Sequence, residues 1–213
     1  MKIAVIQAST QIEKNCLLFE ATKDTVSDKG WKVINFGVTA DEENFSYIQI
    51  SLCAALLINS GAVDYVVTGC SSGNGMAIAC NALPNLIAGY LPTPADAFLF
   101  GRINHGNVAS LPLGLNFGWS GEVNLRQTLS ALFDTAMNTG YPTESAARKQ
   151  ADSEKLKQIK TLAQTDMIQI LSGLDDDFTQ VIYEKSDLMT YITENGTNTG
   201  LVEFLKGGKW RKL

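Results

Sequence analysis

Residues 66–81 read VVTGCSSGNGMAIACN, and this segment decides the fold. Its β-branched, apolar beginning is typical of a buried strand, and the pattern from about Met76 to Ala82 predicts a helix. The small residues between them allow a tight turn and leave the first N–H groups of the helix open to a ligand. A strand that runs directly into a helix is the basic unit of a parallel α/β sheet.

The rest of the chain repeats this alternation. Strands are predicted in residues 2–8, 31–38, 63–70 and 107–115, strand or strand–helix pieces in 86–91 and 96–103, and helices in 13–30, 47–61, 121–140 and 141–164. We therefore expect an α/β protein, a three-layer α/β/α, Rossmann-like sandwich with a five-stranded parallel sheet. Residues 1–160 form the expected main domain. Residues 161–213 form a C-terminal helical extension, packed on the core or at a dimer interface.

Composition excludes several classes of function. The chain has 213 residues, a net charge of −5 and a pI near 4.9, so it has no electrostatic basis for nonspecific nucleic-acid binding. The apolar run in the first nine residues, MKIAVIQAS, is too brief for a signal peptide or a membrane span. The four cysteines form no CxxC pair, and we expect a cytoplasmic protein with reduced thiols and no membrane partner.

Cys70, in the turn of the opening segment, has two interpretations. A helix N-terminus lowers the pKa of a thiol from about 8.5, which favours a thiolate or a base. A buried cysteine also serves as a small apolar filler, as we expect for Cys16, Cys53 and Cys80. The turn that follows, residues 71–75, suits an anion, but it matches neither GxGxxG nor a P-loop, so nucleotide phosphate is disfavoured.

Residues 69–90, GCSSGNGMAIACNALPNLIAGY, resemble the loop of the RpiB/LacAB family, which contains ribose-5-phosphate isomerase B and galactose-6-phosphate isomerase. The resemblance runs from Met1 to about Lys160. In it, Cys70 takes the cysteine position and Ser72 the hydroxyl position. The family's glycine-rich turn corresponds to Gly73, Asn74 and Gly75.

The resemblance implies a sugar-phosphate aldose–ketose isomerase that works through a cis-enediol without metal or cofactor. Family members carry the base on the loop cysteine or on a glutamate just after the turn. Met76 stands at the glutamate position and cannot accept a proton, so either Cys70 is the base or this loop only binds. The resemblance further implies that backbone amides of Ser71 to Gly75 stabilise an oxyanion, while Ser72 and Asn74 hold hydroxyl groups.

The chain also departs from the family pattern. The Asp-His that usually ends the first strand is replaced by Ala8 and Ser9, of which Ser9 can still bind a hydroxyl or a phosphate. Tyr47 is kept, although a half-buried structural aromatic explains it equally well. The family's ring-opening histidine is shifted to His105, beside Asn104, and an ordinary loop histidine is the alternative.

Substrate phosphate in the family is bound by basic residues of a late helix, partly across a dimer interface. Arg148 and Lys149 are the nearest counterparts, Arg102 is another candidate, and a solvated helix face is the alternative for the helix pair. The resemblance implies a homodimer or a dimer of dimers with a shared active site. Trp119 and Glu122 can line a sugar pocket, but we expect Trp119 to pack in the core.

The sequence also bears on metal binding and on alternative functions. With one histidine and no carboxylate cluster of ligand spacing, the sequence predicts no metal site. A non-catalytic sugar-phosphate binding or regulatory protein stays the main alternative. A thiol-redox enzyme is less favoured because no resolving cysteine lies at short spacing. The identity of the sugar, and isomerisation against epimerisation, stay open.

Overall fold

The computed structural model describes residues 1–40, 42, 45–115, 117–134 and 137–207. These residues form a five-stranded, fully parallel sheet in the order β2-β1-β3-β5-β4. The strands are β1 Lys2–Val5, β2 Lys32–Asn35, β3 Tyr65–Cys70, β4 Ala88–Tyr90 and β5 Val108–Pro112. Every residue of the central β3 is buried, as expected for a parallel sheet covered on both faces.

Helices cover both faces of the sheet. Their bounds are α1 Asn15–Thr25, α2 Tyr47–Asn59, α3 Asn74–Asn81, α4 Pro94–Ile103, α5 Gly121–Leu132, α6 Ala146–Ala163, α7 Met167–Gly173, α8 Asp176–Glu184, α9 Ser186–Asn195 and α10 Thr199–Gly207. Strand β1 shows the division, because Ile3 and Val5 pack with α1, α4 and α5, whereas Ala4 packs with α2 and α3. The predicted three-layer α/β/α sandwich is confirmed.

Two element predictions need correction. Residues 96–103 lie in α4, whose N-cap Thr93 accepts a hydrogen bond from the Asp96 amide, so they are not a strand. The helix predicted over 121–140 ends at Leu132. Instead of continuing as helix, the chain returns to the end of α4. There the amides of Asn138 and Gly140 donate to the carbonyls of Gly101 and Arg102.

The C-terminal extension is helical, as predicted, but its detail differs. The sequence pattern of residues 180–196 predicts a single helix, whereas the structure divides this stretch at Lys185 into α8 and α9. The pattern did not predict α10. Apolar side chains of this region join the core beneath α2, namely Leu171, Ile182, Leu188, Ile192 and Leu205. The division at residue 160 stays a prediction and falls within α6, and residues 208–213 lie outside the described part of the chain.

The strand order determines where a ligand can bind. From β1 the chain goes to β2 on one side, and β3 then lies on the other side of β1. Open α/β sheets bind ligands at such a switch point, beyond the carboxyl ends of the two strands. Cys70 ends β3, and residues 6–14 follow β1, so both lie at this edge. In the described ranges, no helix combines the length and the apolar character that crossing a bilayer requires.

Candidate active site

Cys70 lies at the carboxyl end of β3, opposite Pro112 of β5. Its side chain is nearly covered, with 9% of the residue exposed, and its Sγ accepts a hydrogen bond of 3.2 Å from the Gly73 amide. Gly73 precedes α3 with a φ of +77°, and a Cβ there would lie 2.8 Å from the Tyr90 ring and 2.9 Å from the Leu111 backbone. Only glycine fits this turn.

Strand β5 and the loop after it hold the turn in place. The Ser110 hydroxyl donates to the Gly73 carbonyl at 2.6 Å. The Leu113 amide donates to the Cys70 carbonyl at 3.0 Å, and the amides of Gly114 and Leu115 donate to the Ser71 carbonyl at 3.0 and 2.7 Å. Backbone held from a neighbouring strand is preorganised, so the amides at the beginning of α3 can bind an anion without moving.

Residues after β1 form the second side of the site. The Gln11 Nε2 atom donates to the Ser71 hydroxyl at 2.9 Å, and the Thr10 hydroxyl lies 3.4 Å from the same oxygen. The Ser9 hydroxyl is buried and has no hydrogen-bond partner among the described residues, while its amide donates to the Phe45 carbonyl at 3.2 Å. Ser9 therefore lies at the predicted edge with a free hydroxyl group.

Sequence reasoning gave no role to Gln11. Its position at the carboxyl end of a strand next to β3 was the available signal, since parallel neighbours end at the same edge of a sheet. The same signal applies to Gly114, which follows the carboxyl end of β5, the other neighbour of β3. A Cβ on Gly114 would lie 3.2 Å from the Ser71 Cα.

Tyr47 is the first residue of α2, which begins with a capping box formed by Ser46 and Gln49. The Tyr47 ring lies against the turn, with its nearest carbon 3.4 Å from where a Cβ on Gly75 would stand. The residue is 42% exposed, so part of its side chain stays open to solvent. The structure thus brings Tyr47 to the Cys70 turn.

The remaining residues of the turn differ in exposure. Ser71 and Asn74 are exposed, and Ser72 and Gly75 are half-buried, so all are within reach of solvent. Met76, at the position where the resemblance expects a glutamate, is completely buried in the core. Among the described residues of the turn, Cys70 is therefore the one whose conjugate base, a thiolate, can accept a proton from carbon.

Two of the other three thiols are deeply buried. Burial raises the pKa of both Cys53 and Cys80 to about 12, so these thiols stay protonated at neutral pH. Cys16 is exposed on α1, and the expectation that it belongs to the core was wrong. Its position on the solvent side of an amphipathic helix explains the error, because the buried residues of α1 are Leu18, Ala21 and Thr22.

His105 lies at the opposite edge of the sheet. It stands in the loop before β5 with a φ of +49°, whereas Cys70 ends β3. Since Val66 pairs with Val108, the beginning of β5 lies four residues before Cys70 along the sheet, about 13 Å at ~3.3 Å per residue, and His105 precedes that point. One chain does not bring His105 and Cys70 together.

The surroundings of His105 are basic and partly closed. Its Nδ1 lies 3.8 Å from a Glu154 oxygen, and its Nε2 is buried without a partner among the described residues. Burial, followed by the positive charge of Lys157, holds the pKa of His105 below its ordinary value, with Glu154 opposing the shift. A cavity of about 230 Å³ beside it is lined by Asn85, Ile87, Asn107, Lys157, Lys160 and Thr161.

The predicted anion-binding residues lie near this second edge as well. Arg102 donates to Asp134 at 2.6 Å and lies over the Phe98 ring at 4.7 Å, so a carboxylate occupies part of its guanidinium group. Asn104 is exposed at the end of α4. Exposed Arg148 pairs with Asp152, and Lys149 is half-buried. Gln150 donates to the Asn138 carbonyl, which attaches this part of α6 to the end of α4.

Trp119 is fully exposed, so the expectation that it packs in the core was wrong. It lies in the loop that leads from β5 to α5, where Ser120 adopts a φ of +62° and turns the chain into the helix. Glu122 is exposed in the first turn of α5. Across the described ranges, no three His, Cys, Asp or Glu residues lie close enough together to hold a metal ion.

Comparison with known proteins agrees with this geometry. The family model described as Ribose/Galactose Isomerase matches residues 3–153. A 4-deoxy-L-threo-5-hexosulose-uronate ketol-isomerase, solved with a tartrate, is 35% identical with a TM-score of 0.94 and full coverage of both chains. A ribose-5-phosphate isomerase from Vibrio parahaemolyticus is 33% identical with a TM-score of 0.92, over 97% of this chain and 98% of the other.

A type B ribose 5-phosphate isomerase from Trypanosoma cruzi shares the fold alone, with a TM-score of 0.65 at 18% identity over 76% of this chain and 98% of its own. The family model covers well over half of the sequence, and the two relatives above 30% identity extend through the C-terminal helices. The chain belongs to the ribose/galactose isomerase family of sugar isomerases.

Proposed function

We propose that the protein interconverts an aldose phosphate and a ketose phosphate, of the ribose-5-phosphate/ribulose-5-phosphate type, through a cis-enediol with Cys70 as the base. The observation that carries this proposal is the hydrogen bond of 3.2 Å from the Gly73 amide to the Cys70 Sγ at the carboxyl end of β3. A backbone donor at a helix N-terminus stabilises a thiolate, and a thiolate can remove a proton from carbon.

The reaction needs one base and one oxyanion site. The Cys70 thiolate removes the proton from C2 of the open-chain aldose, the electron pair forms the C1–C2 double bond, and the carbonyl oxygen at C1 becomes an enediolate oxygen. Amides of the 71–75 turn stabilise that charge as it develops. The thiol then returns a proton to C1, and the hydroxyl proton at O2 moves to the O1 oxyanion as the ketose carbonyl forms at C2.

Substrate hydroxyl groups have several partners at this edge. Ser72 and Asn74 of the turn, and the unpartnered Ser9 hydroxyl after β1, are suited to hold them. The exposed part of the Tyr47 side chain forms a wall. The Ser71 hydroxyl accepts a hydrogen bond from Gln11, which fixes its orientation. It can therefore form a further hydrogen bond to the substrate in a defined direction.

A second copy of the chain completes the site in this proposal. His105 lies at the edge of its own sheet that is opposite to Cys70, so His105 and Asn104 assist ring opening at the site of another subunit. Arg102, Arg148 and Lys149 of that same subunit bind the substrate phosphate. Exposed apolar side chains support association, since Ile78 of α3 is 73% exposed beside the turn, and Ile159 and Leu162 of α6 are 55% and 88% exposed. We propose a homodimer or a dimer of dimers.

Uronates are a second substrate class. The relative that matches the whole chain at 35% identity is a ketol-isomerase of a hexosulose uronate, whose terminal anion is a carboxylate instead of a phosphate. Both classes present an anion and an adjacent carbonyl and hydroxyl pair to the site. The proposed reaction needs Cys70 reduced, which fits a cytoplasmic enzyme.

The proposal is tested by incubating the protein in deuterium oxide with pentose phosphates, hexose phosphates, free sugars and hexosulose uronates, and following each by NMR. We expect conversion of one phosphate substrate with deuterium at the carbon that receives the proton. If the protein converts the uronate alone, the substrate class is a uronate instead of a sugar phosphate, and the proposed mechanism stays the same. Binding of a sugar phosphate without exchange would favour the non-catalytic binding protein.

A further inference from the structure

The C-terminal extension contacts the segment that forms one wall of the site. Lys185, between α8 and α9, has its Nζ 2.9 and 3.0 Å from the two carboxylate oxygens of Glu42. A second contact lies nearby, where the Nε2 of Gln49 donates to the Phe178 carbonyl of α8 at 3.3 Å. The extension therefore contacts Glu42, which precedes α2, and Gln49 in the first turn of α2.

Lys185 is a buried cation. Its side chain is 0% exposed, its Nζ also lies 3.3 Å from an Asp187 oxygen, and it stands 5.9 Å from the centre of the Phe45 ring. A lysine is rarely fully buried unless it is paired, and losing one partner leaves a costly unpaired charge. The side chain is thus fixed in place and is suited to hold another segment.

Glu42 also forms hydrogen bonds with Thr39, three residues earlier in the chain. Its Oε2 accepts hydrogen bonds from the Thr39 amide at 3.0 Å and from the Thr39 hydroxyl at 3.3 Å. The Glu42 amide donates to the Thr39 carbonyl at 3.1 Å. One carboxylate therefore closes a turn of the loop and attaches that turn to the extension.

The same segment reaches the site at two points. Phe45, only 4% exposed, accepts a hydrogen bond from the Ser9 amide through its carbonyl at 3.2 Å. Two residues later, the Tyr47 ring lies against Gly75. Displacement of Phe45, whose ring lies 5.9 Å from the Lys185 Nζ, would therefore move both the Ser9 hydroxyl and the Tyr47 wall.

We propose that Lys185 is a positioning residue, which sets the placement of Ser9 and Tyr47 through its ion pair with Glu42. In this role the C-terminal extension, which lies beyond the family model, belongs to the substrate-binding apparatus. Lys185 touches no reacting atom, so its effect falls on substrate binding more than on the proton transfer at Cys70. This inference rests on the proposed isomerase function.

A double-mutant cycle separates positioning from stability. Lys185→Met leaves Glu42 unpaired, Glu42→Gln leaves Lys185 without its closest anion, and the double variant carries neither charge. The side-chain amide that Glu42→Gln introduces can still accept the hydrogen bonds from Thr39. We expect both single variants to lose thermal stability and the double variant to regain most of it. Lys206→Met, which removes an exposed ion pair of α10, serves as the control.

The decisive measurements are KM, kcat and hydrogen exchange at the Ser9 amide. In the double variant we expect KM to stay raised about fivefold to tenfold with kcat within about twofold, because the loop is no longer fixed. We also expect faster exchange at Ser9, while Lys206→Met changes none of the three. A double variant with normal KM and normal Ser9 exchange would overturn the inference. If wild-type protein converts no sugar, the proposed function fails, and Ser9 exchange alone decides the positioning role.

Discussion

Two loops of this molecule carry the candidate site residues, and they lie at opposite edges of one sheet. The Cys70 turn follows β3, is held by hydrogen bonds from β5 and its loop, and faces the segment after β1. The His105 loop precedes β5 and has basic neighbours from α6. Both loops are rich in glycine and asparagine, so local composition does not distinguish them.

The difference shows that strand direction decides which loop can be a site within one chain. Carboxyl ends of parallel strands meet at the switch point between β1 and β3, where helix N-termini also point. The His105 loop lies where helices end and strands begin, and in the proposed dimer it joins a site by meeting another copy of the chain. The predictions below test this assignment, starting with the largest effect.

Removing the Cys70 thiol has the largest expected effect. In Cys70→Ala, kcat on the substrate identified by the deuterium oxide experiment falls by about 10³-fold, because a positioned base accelerates a reaction roughly 10²–10⁴-fold. Ligand affinity, measured by calorimetry, changes little. Cys16→Ala is the matched control, since that exposed thiol lies on α1. Retention of turnover in Cys70→Ala would contradict the role of Cys70 as the base.

Mixing two inactive variants tests whether the edges meet across subunits. Cys70→Ala and His105→Ala are each expected to be impaired alone. After subunit exchange, hybrid dimers contain one site with both residues, so activity recovers to about a quarter of wild type. The measurement is turnover before and after mixing. No recovery, with exchange verified by mass spectrometry, would assign His105 no part in the site.

Gly73→Ala tests how rigidly the turn is built. The alanine would need a φ of +77° and would press on the Tyr90 ring and the Leu111 backbone, which cannot move without breaking the sheet. We expect a loss of about 3 kcal/mol in the free energy of unfolding, measured in urea.

Gly30→Ala is the control for this experiment. Gly30 has a similar φ of +63°, but nothing lies within 4 Å of its Cβ position. Only the backbone strain remains there, so the expected loss is about 1 kcal/mol. Equal losses in the two variants would mean that the contacts around Gly73 are not tight.

The smallest effect concerns pH and His105. Its pKa is lowered in the folded protein, so the unfolded chain binds the proton more readily. The free energy of unfolding should therefore fall as pH drops below the ordinary histidine pKa of about 6.5. His105→Gln should show a shallower fall in denaturant titrations from about pH 7.5 to about 5.5. A steeper fall in the variant would contradict the direction of the shift.

The amino-acid sequence by itself determined the layer architecture and the principal turn. Alternating strand and helix patterns predicted the parallel sheet, because periodicity reports which faces are buried. The run of small residues after β3 identified the Cys70 turn, because few sequences permit a positive φ directly before a helix. Met76 could also be interpreted without coordinates, since its side chain cannot accept a proton.

Only the tertiary structure decided which residues meet. Gln11 and Ser71 are far apart in the chain but share a hydrogen bond of 2.9 Å. Trp119 and Cys16 proved exposed, and Lys185 proved buried against Glu42. Hydrophobic periodicity predicts which face of a helix or strand is buried. The burial of these individual residues depends on which other elements pack beside them. For that reason the separation of His105 from Cys70 emerged only once the strands had an order and a direction.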